Sequence, residues 1–575
     1  MREVREQKTG DAGSGGSALG ARGAAGHNGA MRCVAFMVLA MLPLGGAGAA
    51  WGAELATKET PVGRLMLPVV PDSVVVSPDS SRVVLAAKSG DATLEEKGVF
   101  INPKPTDPRN DSARPQLNEI CLYIDDKQTI AFDSTTVPVF SPDSRRLGYA
   151  GRHGKTWQLV LDGRTLMQDA DDVPTAPIVF SPDSAHVVWV VRKGEQYQIT
   201  VDDKKWPALE AAVVGAPQFS PDSRHVALAA RVRIGWTMVV DGTPLPAPTR
   251  PGPTTSAATG RARSATQLAP TPVQLARFGR FAWWPDSSGL AYHAAFPSAS
   301  WQFFAQSLEG SFGFTSKAYD NILNGSPVFA PDGGQMAFGG STRSKWSMVT
   351  EPALPPVTTA PTTAAAAAAA ALATFDQILA ESVAYYRPGG AADSQDTLLY
   401  LALQNKKWRL YVDDRAQADT FDSIILGSFV VSPDRRHYAF AGMRDGKATV
   451  IQDGRMLGTY NECAASSFAF SPDSQHLAYA ARSVGWSVCV DGSPGRPFDM
   501  MTNSPIAFSP DSARVAYLAM TAQKTWRVIA GKDGELESKP YDAFLKGAHV
   551  NWRADGTIVT IAIQKKVALR VEATP

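Results

Sequence analysis

The pentapeptide FSPDS stands at 140–144, 180–184, 219–223, 470–474 and 508–512. Degenerate copies surround Pro78, Pro285, Pro331, Pro388 and Pro433, and NWRADG at 551–556 is the weakest. Undisturbed copies lie 38 to 40 residues apart, which makes eleven units in all. A period of this length is the mark of a repeat architecture, in which each unit is one small supersecondary element.

The second unit shows the internal order. PVF (138–140) is a short apolar run and SPDS (141–144) a turn, in which Pro sets φ and Asp and Ser bond nearby backbone N–H groups. RRLGYAG (145–151) alternates large and small residues, HGK (153–155) turns again, and TWQLVLDG (156–163) ends in the hairpin signal Asp-Gly. Four short strands in about 40 residues, many times over, predict an all-β chain built as a β-propeller. About eleven four-stranded blades are expected, either in two tandem rings of about six and five, divided near residue 350, or in one large ring. Propellers of four to eight blades favour the two rings.

The alternation also predicts packing. Leu147, Tyr149, Leu477 and Tyr479 alternate with Gly148 and Ala478 on the second strand, so neighbouring sheets can approach closely. Trp157, Tyr197, Trp236, Trp301, Trp346, Trp408, Trp486 and Trp526 open the third strand, and their apolar company marks them as core. The pattern VFSPDS, (L/V)AYxA and WxV(V/C)VDG resembles the TolB-type, WD-repeat-like propeller repeat of exported bacterial proteins, over residues 60–575. That resemblance implies the propeller fold and an exported protein. It implies no single function, because the repeat serves scaffolds, binding proteins and enzyme-attached domains alike.

Residues 1–30 are rich in Gly and Ala and read as a disordered extension, untranslated if Met31 is the true start. Residues 31–49 then read as a signal peptide: Arg32, an apolar run from Cys33 to Leu44 too short to span a bilayer, and small residues at Ala47 and Ala49. A periplasmic or extracellular protein without a membrane span is expected. Residues 1–49 carry five basic and three acidic side chains, so a net charge of +1 becomes about −1 without them. Such a balance predicts no nucleic-acid partner. Cys121, Cys463 and Cys489 would remain, an odd number that argues against a disulfide framework. Cys489 is expected buried and Cys121 more exposed.

Three insertions break the period: 89–119 between the second and third strands of unit one, and low-complexity loops at 243–275 and 352–373. GRLMLPVV (63–70) is the expected fourth strand of the last unit.

Chemistry is sparse. His186, His225, His437 and His476 stand four residues after the motif proline, and Arg82, Arg146 and Arg514 take that slot elsewhere. With Arg224 they make a basic turn face, the candidate partner-binding surface. The motif aspartates are one per unit and read as turn formers, since a Ca²⁺ loop needs several carboxylates in one segment. An acidic column, Asp133, Asp320, Asp376, Asp422, Asp499 and Asp542, is expected to guard an edge strand. His153, His293 and His549 have no partner at ligand spacing. No G-x-S-x-G, H-E-x-x-H, P-loop or Cys-x-x-Cys motif occurs, and no hydrolase domain is expected after the last repeat. The expectation is a non-enzymatic propeller, with no cofactor and no metal, that binds an envelope protein or glycan. The alternative is a channel-site enzyme such as a metal-dependent polysaccharide lyase, which needs His and acidic ligands converging on the channel.

Overall fold

Eleven sheets, antiparallel except for one two-residue strand added to blade 10, account for the eleven units, one blade each. The computed structural model describes residues 53–575 apart from 65–74, 80–81, 89–119, 126, 175–176, 210–212, 233–234, 247–274, 298–299, 310–311, 326, 353–372, 389–394, 545–548 and 566. The expected extension (1–30), signal peptide (31–49), the whole 89–119 insertion and nearly all of 243–275 and 352–373 therefore lie outside the described residues.

Blade 2 shows the plan. Its first strand is split into Ser134–Thr135 and Val139–Phe140, followed by Leu147–His153, Thr156–Leu161 and Arg164–Ala170. Leu147 pairs with Phe140 on one side and Leu161 with Gly148 on the other. Each blade buries both faces, so each blade-to-blade contact is a core of its own. Eleven apolar clusters form among the described residues, and each joins one blade to the next. One of them closes the circle: Val83, Leu85 and Tyr123 of blade 1 pack with Ile561 and Ala568 of blade 11. Another runs across residue 350, joining Met348 of blade 6 to Tyr400 of blade 7. The chain is thus one ring of eleven blades, and the two-ring alternative with a split near 350 is corrected by this unbroken packing.

The ring is sealed by strand exchange between its ends. Ala56–Arg64 pairs antiparallel with Val567–Thr574 as the fourth strand of blade 11. Ala53–Glu54 lies parallel beside Leu536–Glu537 of blade 10, and Leu55 between them is buried in the cluster of blades 10 and 11. Of the expected closing segment, 63–70, Gly63 and Arg64 belong to the strand Ala56–Arg64 and 65–70 lie outside the described residues.

The motif proves to be a clasp between blades. Ser141 Oγ donates to Asp143 Oδ1 (2.6 Å) and accepts from Arg146 N–H (2.9 Å), which shapes the turn. The Asp143 N–H is then free to donate to Ser184 Oγ in the next blade's motif (2.9 Å). Ser184 adopts φ of +64°, in the left-handed region, and its side chain is buried. The same bond links Asp79 to Ser144, Asp183 to Ser223, Asp222 to Ser287, Asp434 to Ser474 and Asp473 to Ser512. Ser184→Ala should cost about 1–2 kcal/mol, the typical loss when a partly buried N–H is left unpaired. Chemical denaturation of the variant against the parent measures it.

Two expectations shift. The third-strand aromatic column is half-buried at the margins of the clusters, not in their centres. The acidic column caps hairpins: Asp133 accepts Gly154 N–H at 2.6 Å and Asp422 accepts Asp445 N–H at 3.1 Å, each in the blade that follows. Its aromatic neighbours, Phe132 and Phe421, are fully buried against Gly151 and Gly442, where a Cβ would come within 2.3 and 2.4 Å of the rings.

Candidate functional site

The basic turn residues are spread one per blade and most are already occupied. His186 Nδ1 lies 2.8 Å from Asp202 Oδ2, and the same pairing holds for His225 with Asp241 (2.7 Å), His437 with Asp453 (2.8 Å) and His476 with Asp491 (2.7 Å). Arg82 and Arg146 pair with Asp125 (2.9 Å) and Asp162 (3.1 Å). The second oxygen of each aspartate accepts the backbone N–H that follows the basic residue, as Asp202 does from Val187 at 3.0 Å. Each of these Asp-Gly or Asp-Asp turns is therefore tied to the motif turn of its own blade, on one face of the ring. Arg224 lies 4.0 Å from its neighbour Asp222. Arg514 has no such aspartate, because Gly531 stands in that slot.

The repeat breaks elsewhere. The first strands of blades 4 and 5, Val213–Phe219 and Arg277–Trp283, run unsplit and each carries a bulge. Gly215, at φ of +77°, permits the first bulge; Gly279 and Arg280 form the second. The serine clasp holds in blades 4 and 5, at Ser223 and Ser287, and lapses further on, where Gly333 and Arg435 replace the accepting serine in blades 6 and 8. Here the channel wall opens into a recess of about 1330 Å³. It is walled by the first strands of blades 4 to 7 and by Trp301 and Trp346, on the side away from the motif turns. Exposed Gln218, Arg280, Asn321, Asn324 and Gln377 supply its polar groups.

His293 lines this recess from the second strand of blade 5. The equivalent slot holds Ala150, Val190, Ala229, Leu401 or Ala480 in other blades, all fully buried. His293 is 7% exposed, and its Nδ1 is buried without a hydrogen-bond partner. Gly279 makes the room: a Cβ there would stand 1.9 Å from His293 Nε2. Trp301 meets the imidazole edge-on at 5.3 Å. Residue spacing alone passed over His293. The signal was its position once the units are aligned, as the one titratable side chain in an aliphatic slot.

Burial, and then the nearby Arg280 charge, lower the His293 pKa from 6.5 to about 4. Between those values the unfolded chain takes up a proton that the folded chain refuses, so stability falls as pH drops from 6.5 toward 4. The loss from this one group is on the order of 3 kcal/mol at the acid end. His293→Leu, the residue of blade 7, should therefore lose that share of the acid destabilisation. Melting temperatures of both chains from pH 7 to 4.5 test it.

Among the described residues, no three His, Cys, Asp or Glu side chains stand together as metal ligands. Cys489 is buried as expected, but Cys121 is too, at 3% exposure, because its strand faces the closing blade. Cys463 is half-buried and donates to Ala480 O at 3.3 Å, and burial pushes its thiol up to about 12. No helix of the described residues is long and apolar enough to cross a membrane.

The sequence matches no protein-family model, and it matches no curated protein. Among solved structures it is similar to the crystal structure of a eukaryotic initiation factor, at 11% identity over 76% of this chain and 89% of that one, with a TM-score of 0.36. It is also similar to the Dos1 propeller, at 8% identity over 62% and 90% of the two chains (TM-score 0.29). A third is hydrazine synthase of Kuenenia stuttgartiensis, at 10% identity over 61% and 94% (TM-score 0.25). The fold rests on the eleven sheets themselves.

Proposed function

We propose that this chain is an exported, non-enzymatic propeller of the TolB-like kind that binds a protein or glycan of the cell envelope. The observation that carries the reading is the recess, bounded by the bulged first strands of blades 4 and 5 and by blades 6 and 7, with exposed polar side chains and half-buried tryptophans on its wall. The basic turn face is a weaker contact surface, because six of its eight residues are each satisfied by an aspartate of the same blade.

A photo-crosslinking residue at Asn324 and another at Ala185 separate the two surfaces. Asn324 lies in the recess and Ala185 on the motif turns. Capture of one envelope component from position 324 and not from 185 is the expected result. Capture from 185 alone would transfer the reading to the basic turns, and capture from neither would remove it.

A further inference from the structure

Blade 5 holds an imidazole where the other blades hold aliphatic side chains or glycine, and Gly279 opposite leaves the space it fills. Its Nδ1 bonds to no described group, and an unpaired buried polar atom opposes folding. A buried, unpartnered histidine on the wall of a recess is a group set aside for a ligand. Building on the binding reading above, we propose that the recess is a carbohydrate subsite and that His293 determines which sugar it accepts.

The chemistry of the wall selects that ligand class. Gln218, Asn324 and Gln377 are exposed amides, each offering donors and an acceptor without charge. Sugar hydroxyls also donate and accept, so amides match them in either sense. Trp301 and Trp346 are half-buried, so each keeps part of an indole ring against the recess, a surface for the C–H face of a pyranose. The recess carries little net charge, since Asp376 is paired with Lys345 and Arg280 is the remaining ionised group on the wall. A neutral oligosaccharide meets these conditions better than a nucleotide or a polyanion. A neutral imidazole can offer the recess one polar atom at a fixed place, Nε2 beside Gly279, as donor or acceptor, which is how a buried group discriminates between sugar epimers.

Isothermal titration with cellohexaose, mannohexaose and chitohexaose, and with hexagalacturonate as the charged arm, tests the proposal. At least one neutral hexasaccharide should bind. His293→Leu should weaken it about tenfold, roughly one neutral hydrogen bond, and His293→Gln, which keeps a donor and an acceptor, should recover part of the loss. Trp346→Ala should weaken it as well, and melting curves identify any variant that fails to fold. Failure of all three neutral sugars overturns the proposal, as does binding that His293→Leu leaves unchanged. Tight binding of hexagalacturonate alone also overturns the neutral-sugar assignment. Crosslinking of a protein from Asn324 in a chain that binds no hexasaccharide would overturn the carbohydrate assignment and keep the binding function. Neither crosslinking nor sugar binding would remove both.

Discussion

A chain without residues 53–64 should fail to hold a closed ring. Eight registered residue pairs tie Ala56–Arg64 to Val567–Thr574. Their loss leaves blade 11 with a long unpaired edge, which is a template for aggregation. Leu55 also leaves the cluster of blades 10 and 11, and exposing one such side chain costs about 2–3 kcal/mol by itself. The ion pair between Lys539 and Glu59, at 2.8 Å, goes with it. A ring differs from an open stack here, because a solenoid with one weakened end merely frays, whereas every contact of a ring depends on closure. Size-exclusion chromatography should show a larger hydrodynamic radius or oligomers, and limited proteolysis should cut first at blades 1 and 11. Leu55→Asp, which keeps the strand, should give a milder version of the same defect. An unchanged radius and an unchanged proteolysis pattern would show that the interblade clusters hold the circle without the seal.

The second large effect concerns the glycines opposite the fourth-strand aromatics. Gly442 faces Phe421, which is wholly buried. Phe421→Ala should cost about 3–5 kcal/mol, from lost burial and the cavity left behind. Gly442→Val should cost about 2–3 kcal/mol, because its side chain would meet a ring that has nowhere to move. The pair should not add. In the double variant the valine partly fills the space the phenyl ring vacates, so the combined loss should fall short of the sum by 1 kcal/mol or more. Denaturant titration of the three variants gives the coupling. Strict additivity would mean that the two residues do not share one site.

Much of the architecture was legible because a propeller repeats its own grammar. One blade read correctly is read many times, so the four strands and the turn chemistry of SPDS followed from the second unit. The partners of the motif were not legible. The hydroxyl of Ser184 serves Asp143, 41 residues earlier, and no local rule points across that distance. The histidine column looked like an open basic face for the same reason: the carboxylate that satisfies each ring lies 15 or 16 residues further on, in another turn. His293 escaped notice because a histidine without a ligand partner in sequence looks inert. Its meaning comes from Gly279, on the neighbouring strand.

Sequence alone determined that this chain is all-β, that it is made of eleven blades, and where each strand turns, because alternation and turn residues act over a few positions. Tertiary structure decided the rest. One ring rather than two depends on how much each sheet turns against its neighbour, a sum over eleven interfaces that no single unit encodes. The recess exists because two bulges and the pairing of Gly279 with His293 fall on adjacent blades, and only the closed circle brings them to one wall with blades 6 and 7.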